Sequence, residues 1–156
     1  MTPAGQSTMT DAEATAAAIR NVEEEMLVLA GHVRAGLRDA ALGIDPALTP
    51  FGLTLLRLLN RCGPTHAGAA AEALFVDRSV ISRQARQLEA LGLTTLEVDP
   101  NDRRARYLAL TPEAVRKLAG TAANDRVLIN KSLGSWSPAD LNQFAGYIAR
   151  LNNAEA

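Results

Sequence analysis

The sequence predicts a mainly α-helical chain with one small antiparallel β-hairpin, and three observations carry that prediction. Apolar residues recur at steps of three and four in long runs. Thr49-Pro50, Thr111-Pro112 and Ser137-Pro138 each set a hydroxyl N-cap before a proline, whose missing N–H removes nothing at the first helical position. Two short β-prone runs, "LTTLEV" and "ARYLAL", interrupt the helical pattern on either side of the turn-forming "DPND".

The elements follow in order. Residues 1–9 hold nothing to bury and are expected to be a disordered tail. "TDAE" places Thr10 as an N-cap with Glu13 three residues on, a capping box. Ile19, Val22, Met26, Leu29, Val33 and Leu37 then form one stripe on a long helix to about Ala41, with Arg20, Glu23, Glu24, Arg34 and Arg38 opposite. "PFGLTLLRLLNRC" is apolar on most sides, Cys62 included, so this second helix is the expected centre of the core, and Gly63-Pro64 stops it. A short Ala-rich helix is expected from near Thr65. Asp77 is the expected N-cap of the next helix, where Val80, Ile81, Ala85, Leu88 and Leu91 form the buried side and Gly92 the stop. After the hairpin, a helix from Thr111 turns Val115, Leu118, Ala122, Ile129 and Leu133 one way. A last helix from Ser137 carries Leu141, Phe144, Ile148 and Leu151.

Composition bounds what such a chain does. With 156 residues, 47% of them apolar, it has room for one domain, or for one core plus helices that bury themselves against a partner. Net charge is −1, so any attraction to a polyanion must be local. Residues 78–106 hold six arginines against four carboxylates, a net +2 that leaves −3 for the rest. The single cysteine cannot form an internal disulfide, no apolar run approaches the roughly 18 residues of a membrane span, and "MTPAGQSTMTDAEA" does not read as a leader. A cytoplasmic protein with no membrane contact is expected.

The middle segment reads as a helix-turn-helix followed by a wing. Once the buried set of the second of these helices is removed, Arg78, Ser79, Ser82, Arg83, Arg86 and Gln87 remain, short or forked polar groups suited to base edges and phosphates. Two readings of that face stand at this stage: a solvated helix surface, or a DNA contact. The wing tip has two readings as well. Arg103 and Arg104 either pair with Asp99 and Asp102 on the surface or enter a minor groove, whose negative potential attracts arginine.

"DRRARYLALT" contains Asp102-x-Arg104-x-x-x-Leu108-x-Leu110-Thr111, which resembles the wing signature of the MarR family of winged helix-turn-helix transcriptional regulators. "DRSVISRQARQLEALGL" resembles that family's recognition helix and its exit into the wing, and the helix order fits from Thr10 onward. The resemblance implies a mainly α fold with a small antiparallel β-wing. It divides the chain into a winged lobe at 49–110 and a helical dimerisation region at 10–48 and 111–156. It further implies a homodimer on double-stranded, pseudo-palindromic operator DNA. Ser79, Ser82 and Arg83 would face the major groove, Arg86 a phosphate, and Arg104 the minor groove with Asp102 orienting it; Arg103 is the alternative tip residue. A small aromatic or phenolic effector is also implied, and His32, Tyr107, Trp136 and Tyr147 are the groups that would line its cleft, with packing as the other and favoured reading of Trp136 and Tyr147.

This chain departs from the family pattern at three places. Leu96 and Glu97 stand where basic residues often lead into the wing; Phe75 replaces a small turn residue, and Ala70 a bulky aliphatic. Phe75 either fills the volume Ala70 leaves or alters the angle between the two helices.

No nucleophile elbow, phosphate loop, paired-carboxylate site or metal-ligand spacing is present, so no catalytic residue, metal or cofactor is assigned. Cys62 and His66 lie four apart, but Gly63-Pro64 breaks the helix that would align them, and Cys62 reads as a buried structural residue. The expected function is therefore a dimeric, ligand-responsive DNA-binding regulator, a repressor rather than an enzyme. The rival is a winged-helix protein-interaction module that does not bind DNA.

Overall fold

The computed structural model describes residues 10–98 and 106–153, without the side chains of 121–131. The expected tail at 1–9, the wing-tip residues Asp102, Arg103 and Arg104, and the side chains of Ala122 and Ile129 lie outside the described residues. The order is α1 (Asp11–Ile44), α2 (Pro50–Cys62), β1 (Thr65–His66), α3 (Ala67–Ala73), α4 (Arg78–Ala90), β2 (Thr94–Val98), β3 (Arg106–Leu110), α5 (Pro112–Leu133) and α6 (Pro138–Asn152).

Local chemistry explains the boundaries. The Thr10 N–H donates to Glu13 Oε2 at 2.8 Å and the Glu13 N–H donates to Thr10 Oγ1 at 3.3 Å, completing the capping box. The bond from the Thr10 backbone first, and then the Thr10 hydroxyl donating to Glu13 Oε2 at 3.0 Å, hold the Glu13 carboxyl below its ordinary pKa. Each hydroxyl-proline start also caps as expected. Thr49 Oγ1 accepts from the Gly52 N–H at 2.9 Å, Thr111 Oγ1 from Ala114 at 3.1 Å, and Ser137 Oγ from Asp140 at 3.1 Å. Gly63 and Gly92 end α2 and α4 with φ of 77° and 68°, a region side chains resist. α1 runs past Ala41 to Ile44, and the Asp45 N–H closes it on the Ala41 carbonyl at 3.0 Å.

The core is built around α2. Leu53, Leu55, Leu56 and Leu59 are buried there against Ile81 and Leu88 of α4, with Leu93 and Leu108 from the strands and their approaches. The last turn of α1 adds Ala41 and Ile44, and the start of α5 adds Ala114 and Leu118. Here α5 corrects the expected stripe, because Val115 is exposed. Ala114 and Leu118 are four residues apart and share the narrow face toward the core, which leaves position 115 outside it.

The β-structure is larger than a hairpin. β1, β3 and β2 form a three-stranded antiparallel sheet in that order, with Thr65 opposite Leu108, and Thr94 opposite Leu110 through to Val98 opposite Arg106. Thr65 and His66 are therefore strand residues, not the first turn of the Ala-rich helix. Ladder bonds to β3 hold them extended, and α3 starts at Ala67.

Outside the lobe the apolar stripes stay largely uncovered among the described residues. Ile19, Val22, Met26, Leu29 and Val33 of α1 are exposed, as are Phe144, Ile148 and Leu151 of α6, and no α6 residue is buried. No helix among the described residues is long and apolar enough to cross a membrane.

Candidate nucleic-acid interface

α3, a turn and α4 form a helix-turn-helix on the surface of the core. α3 is short and Ala-rich, so it approaches the core closely through Ala70 and Ala71, both buried. The turn is closed by the Val76 N–H donating to the Ala71 carbonyl at 3.0 Å, while Leu74 and Val76 pack against the core. Between them Phe75 takes φ of 54°, the left-handed region, and its side chain is 95% exposed. It does not fill the space beside Ala70. A side chain in this conformation is strained by roughly 1–2 kcal/mol relative to the right-handed region, and the exposed ring recovers none of that through packing.

α4 separates its residues by chemistry. Ile81, Ala85 and Leu88 are buried, Val80 and Leu91 half-buried, and Arg78, Ser79, Arg83, Arg86 and Gln87 are exposed. Ser82 is half-buried and donates to the Arg78 carbonyl at 3.0 Å, so its hydrogen is committed within the helix and the hydroxyl can only accept from a further partner. Asp77 occupies the N-cap position in extended backbone, but its side chain makes no cap bond, unlike the role expected of it. Among the described residues no carboxylate pairs with Arg78, Arg83 or Arg86, so three guanidinium groups share one surface un-neutralised. Sequence reasoning missed one residue of this helix. Gln84 is only 8% exposed, and its Oε1 accepts from the Thr49 hydroxyl at 3.2 Å. Its position three residues after Ile81 and four before Leu88 was the available signal.

The wing strands flank α4. Leu96 and Glu97 are exposed on β2 and Arg106 on β3. Tyr107 of β3 stacks on His66 of β1 at 3.8 Å between ring centres, and His66 Nδ1, carrying the hydrogen, donates to the Arg106 carbonyl at 3.1 Å. Tyr107 is thus engaged within the sheet. Trp136 and Tyr147 share a shallow concavity of about 470 Å³ with Asp140, Gln143 and Phe144. Trp136 meets Phe144 edge-on at 5.4 Å, and the Tyr147 hydroxyl accepts from Gln143 Nε2 at 2.7 Å. His32 stands exposed on α1, and neither it nor Tyr107 lines that concavity. Cys62 is a correction: it is exposed at the last position of α2, where the helix leaves the core. Among the described residues no group of His, Cys, Asp and Glu is arranged to hold a metal ion.

Residues 48–105, from the approach to α2 through the wing, match the sequence profile of the MarR family. Over 100 residues the chain is 31% identical to an uncharacterised HTH-type transcriptional regulator, YxaD of Bacillus subtilis, covering 64% of this chain and 70% of the relative. The chain belongs to the MarR family. Solved MarR-type structures carry the same fold. A MarR family protein from Bacillus stearothermophilus superposes with a TM-score of 0.73 at 15% identity, over 93% of this chain and 96% of its own. BpsR of Bordetella bronchiseptica, whose DNA binding is regulated by 6-hydroxynicotinic acid, gives 0.70 at 19% identity over 86% and 94%. This MarR-family protein is a winged-helix transcriptional regulator with a DNA-binding role, in a family of regulators rather than enzymes.

Proposed function

We propose that this MarR-family protein is a homodimeric, ligand-responsive repressor that sits on a pseudo-palindromic operator, in the cytoplasm. The observation that carries the reading is the bared apolar stripe of α1 from Ile19 to Val33, about 20 Å long at 1.5 Å per residue, which a partner surface would remove from water. A second copy supplies that surface through its own α1, α5 and α6, so that 10–48 and 111–156 serve association and 49–110 serves DNA. Two lobes then present two copies of α4, and half-sites lie about one helical turn, roughly 10 bp, apart.

Within each lobe Ser79, Ser82 and Arg83 face the major groove and Arg86 a phosphate, with Arg78 and Gln87 as further DNA contacts, a reading supported by the polar, un-neutralised face of α4. Asp102 orients Arg104 toward the minor groove, with Arg103 as the alternative tip. A small aromatic effector acts by preferring a dimer with the wrong lobe spacing, which lowers DNA affinity by its differential binding to the two states. The control of BpsR by an aromatic acid supports that class of ligand. Trp136 and Tyr147 are its proposed contacts, with His32 and Tyr107 contributing only where the dimer brings them near.

The test is binding to DNA from upstream of the protein's own gene against scrambled DNA, titrated at several salt concentrations. Specific binding whose log affinity falls linearly with log salt is expected. Absence of DNA binding even at low salt overturns the proposal in favour of a protein-interaction module.

A further inference from the structure

An amphipathic helix on an apolar core is held mainly by non-directional forces. Burial of Ile81, Ala85 and Leu88 fixes which face of α4 is inward but resists a small roll about the helix axis only weakly. A roll of about 20° sweeps the helix surface by roughly 2 Å, given a radius with side chains of 5–6 Å. That displacement is enough to break hydrogen bonds to base edges.

One feature of α4 is directional. Gln84 lies in the middle of the buried stripe, and its Oε1 accepts from the Thr49 hydroxyl, which itself accepts from the Gly52 N–H. The seat is made by an absent side chain. A Cβ on Gly52 would stand 2.9 Å from Gln84 Nε2, 2.9 Å from Leu48 Cδ1 and 3.1 Å from Thr49 Oγ1, closer than ordinary packing allows. A glycine within a helix is less favourable than alanine, so position 52 gives up some helix stability for room.

We infer that Gln84 is a positioning residue for DNA reading: seated over Gly52 and bonded to the Thr49 cap, it fixes the roll of α4 and hence the aim of Arg83 and its neighbours. Gln84 itself is buried and touches no base. The inference rests on α4 being the DNA-reading helix. It adds that discrimination between sequences, rather than grip on the backbone, depends on a bond on the far side of that helix.

The test compares Gln84→Met, which keeps length and volume without the bond, with Thr49→Val, Thr49→Ser and Gly52→Ala in the intact protein. Affinities for the upstream DNA and for scrambled DNA are measured at one salt concentration, together with thermal unfolding. The expected result is a fall of about tenfold in the specific-to-scrambled ratio for Gln84→Met, with scrambled-DNA affinity and its salt slope unchanged. Thr49→Val and Gly52→Ala should show the same fall, Thr49→Ser should restore the wild-type ratio, and Thr49→Val with Gln84→Met should lose no more than either alone. An unchanged ratio in Gln84→Met, or a loss in Thr49→Ser equal to that in Thr49→Val, overturns the inference while leaving the regulator reading intact. A wild-type protein that binds no DNA even at low salt removes both.

Discussion

The winged lobe and the terminal helices are built from the same kind of sequence, apolar residues at helical spacing, yet the structure treats them oppositely. In the lobe the stripe residues of α2 and α4 vanish into a shared core, whereas along α1 only Ala41 and Ile44 are buried, and α6 buries nothing. The lobe satisfies its pattern within one chain; the arms do not. A hydrophobic stripe therefore specifies that a face will be covered without specifying by which molecule.

The strongest way to sharpen this contrast is to damage each side separately. Leu56→Ala, at a fully buried α2 position, is expected to destabilise the lobe by about 2–5 kcal/mol, read as a drop in thermal or urea midpoint. Val22→Asp with Met26→Asp should leave the circular dichroism of the lobe intact but shift the sedimentation mass toward one chain. Operator affinity should then fall on the order of a hundredfold, because the second half-site no longer binds as an intramolecular event. If mass and affinity both survive, the α1 stripe is not the interface. Within the lobe, Arg83→Ala should cost about 1–3 kcal/mol of specific binding and relax preference at one base position. A uniform loss across all sequences would instead assign Arg83 to a phosphate. The smallest effect is expected at Phe75. Phe75→Gly removes the left-handed strain and no packed ring, so stability should rise by up to about 1 kcal/mol; a fall would mean that the ring contributes contacts the exposed position does not suggest.

Sequence reasoning succeeded where local chemistry is decisive. α2 begins and ends where "PFGLTLLRLLNRC" does, because Thr-Pro starts it and Gly-Pro stops it, and the Thr10 box and the Ser137 cap formed for the same reason. The misses needed distant information. β1 is two residues long, has no alternation to detect, and is defined by a partner strand some forty positions away. The sequence points Cys62 inward because α2 is apolar nearly all round, a pattern that does not reveal that its last turn leaves the core. Gln84 is hidden in the sequence because its residue type argues against its spacing: a polar side chain at a core position is legible only through a partner such as Thr49. Phe75 illustrates the reverse, a large apolar residue that the turn geometry puts outside.

The strand order has a last consequence, for behaviour at high concentration. With β3 in the centre and β1 only two residues long, β2 is the long edge of the sheet, and no described strand covers its outer side. An open edge of this kind is a template on which identical strands from other molecules can add, and a charge on the edge opposes it. Glu97 stands exposed there, a negative charge on the strand that leads into the wing. What it subtracts from the wing's attraction to DNA it returns as repulsion between wings, keeping sheet edges of separate molecules from joining into aggregates.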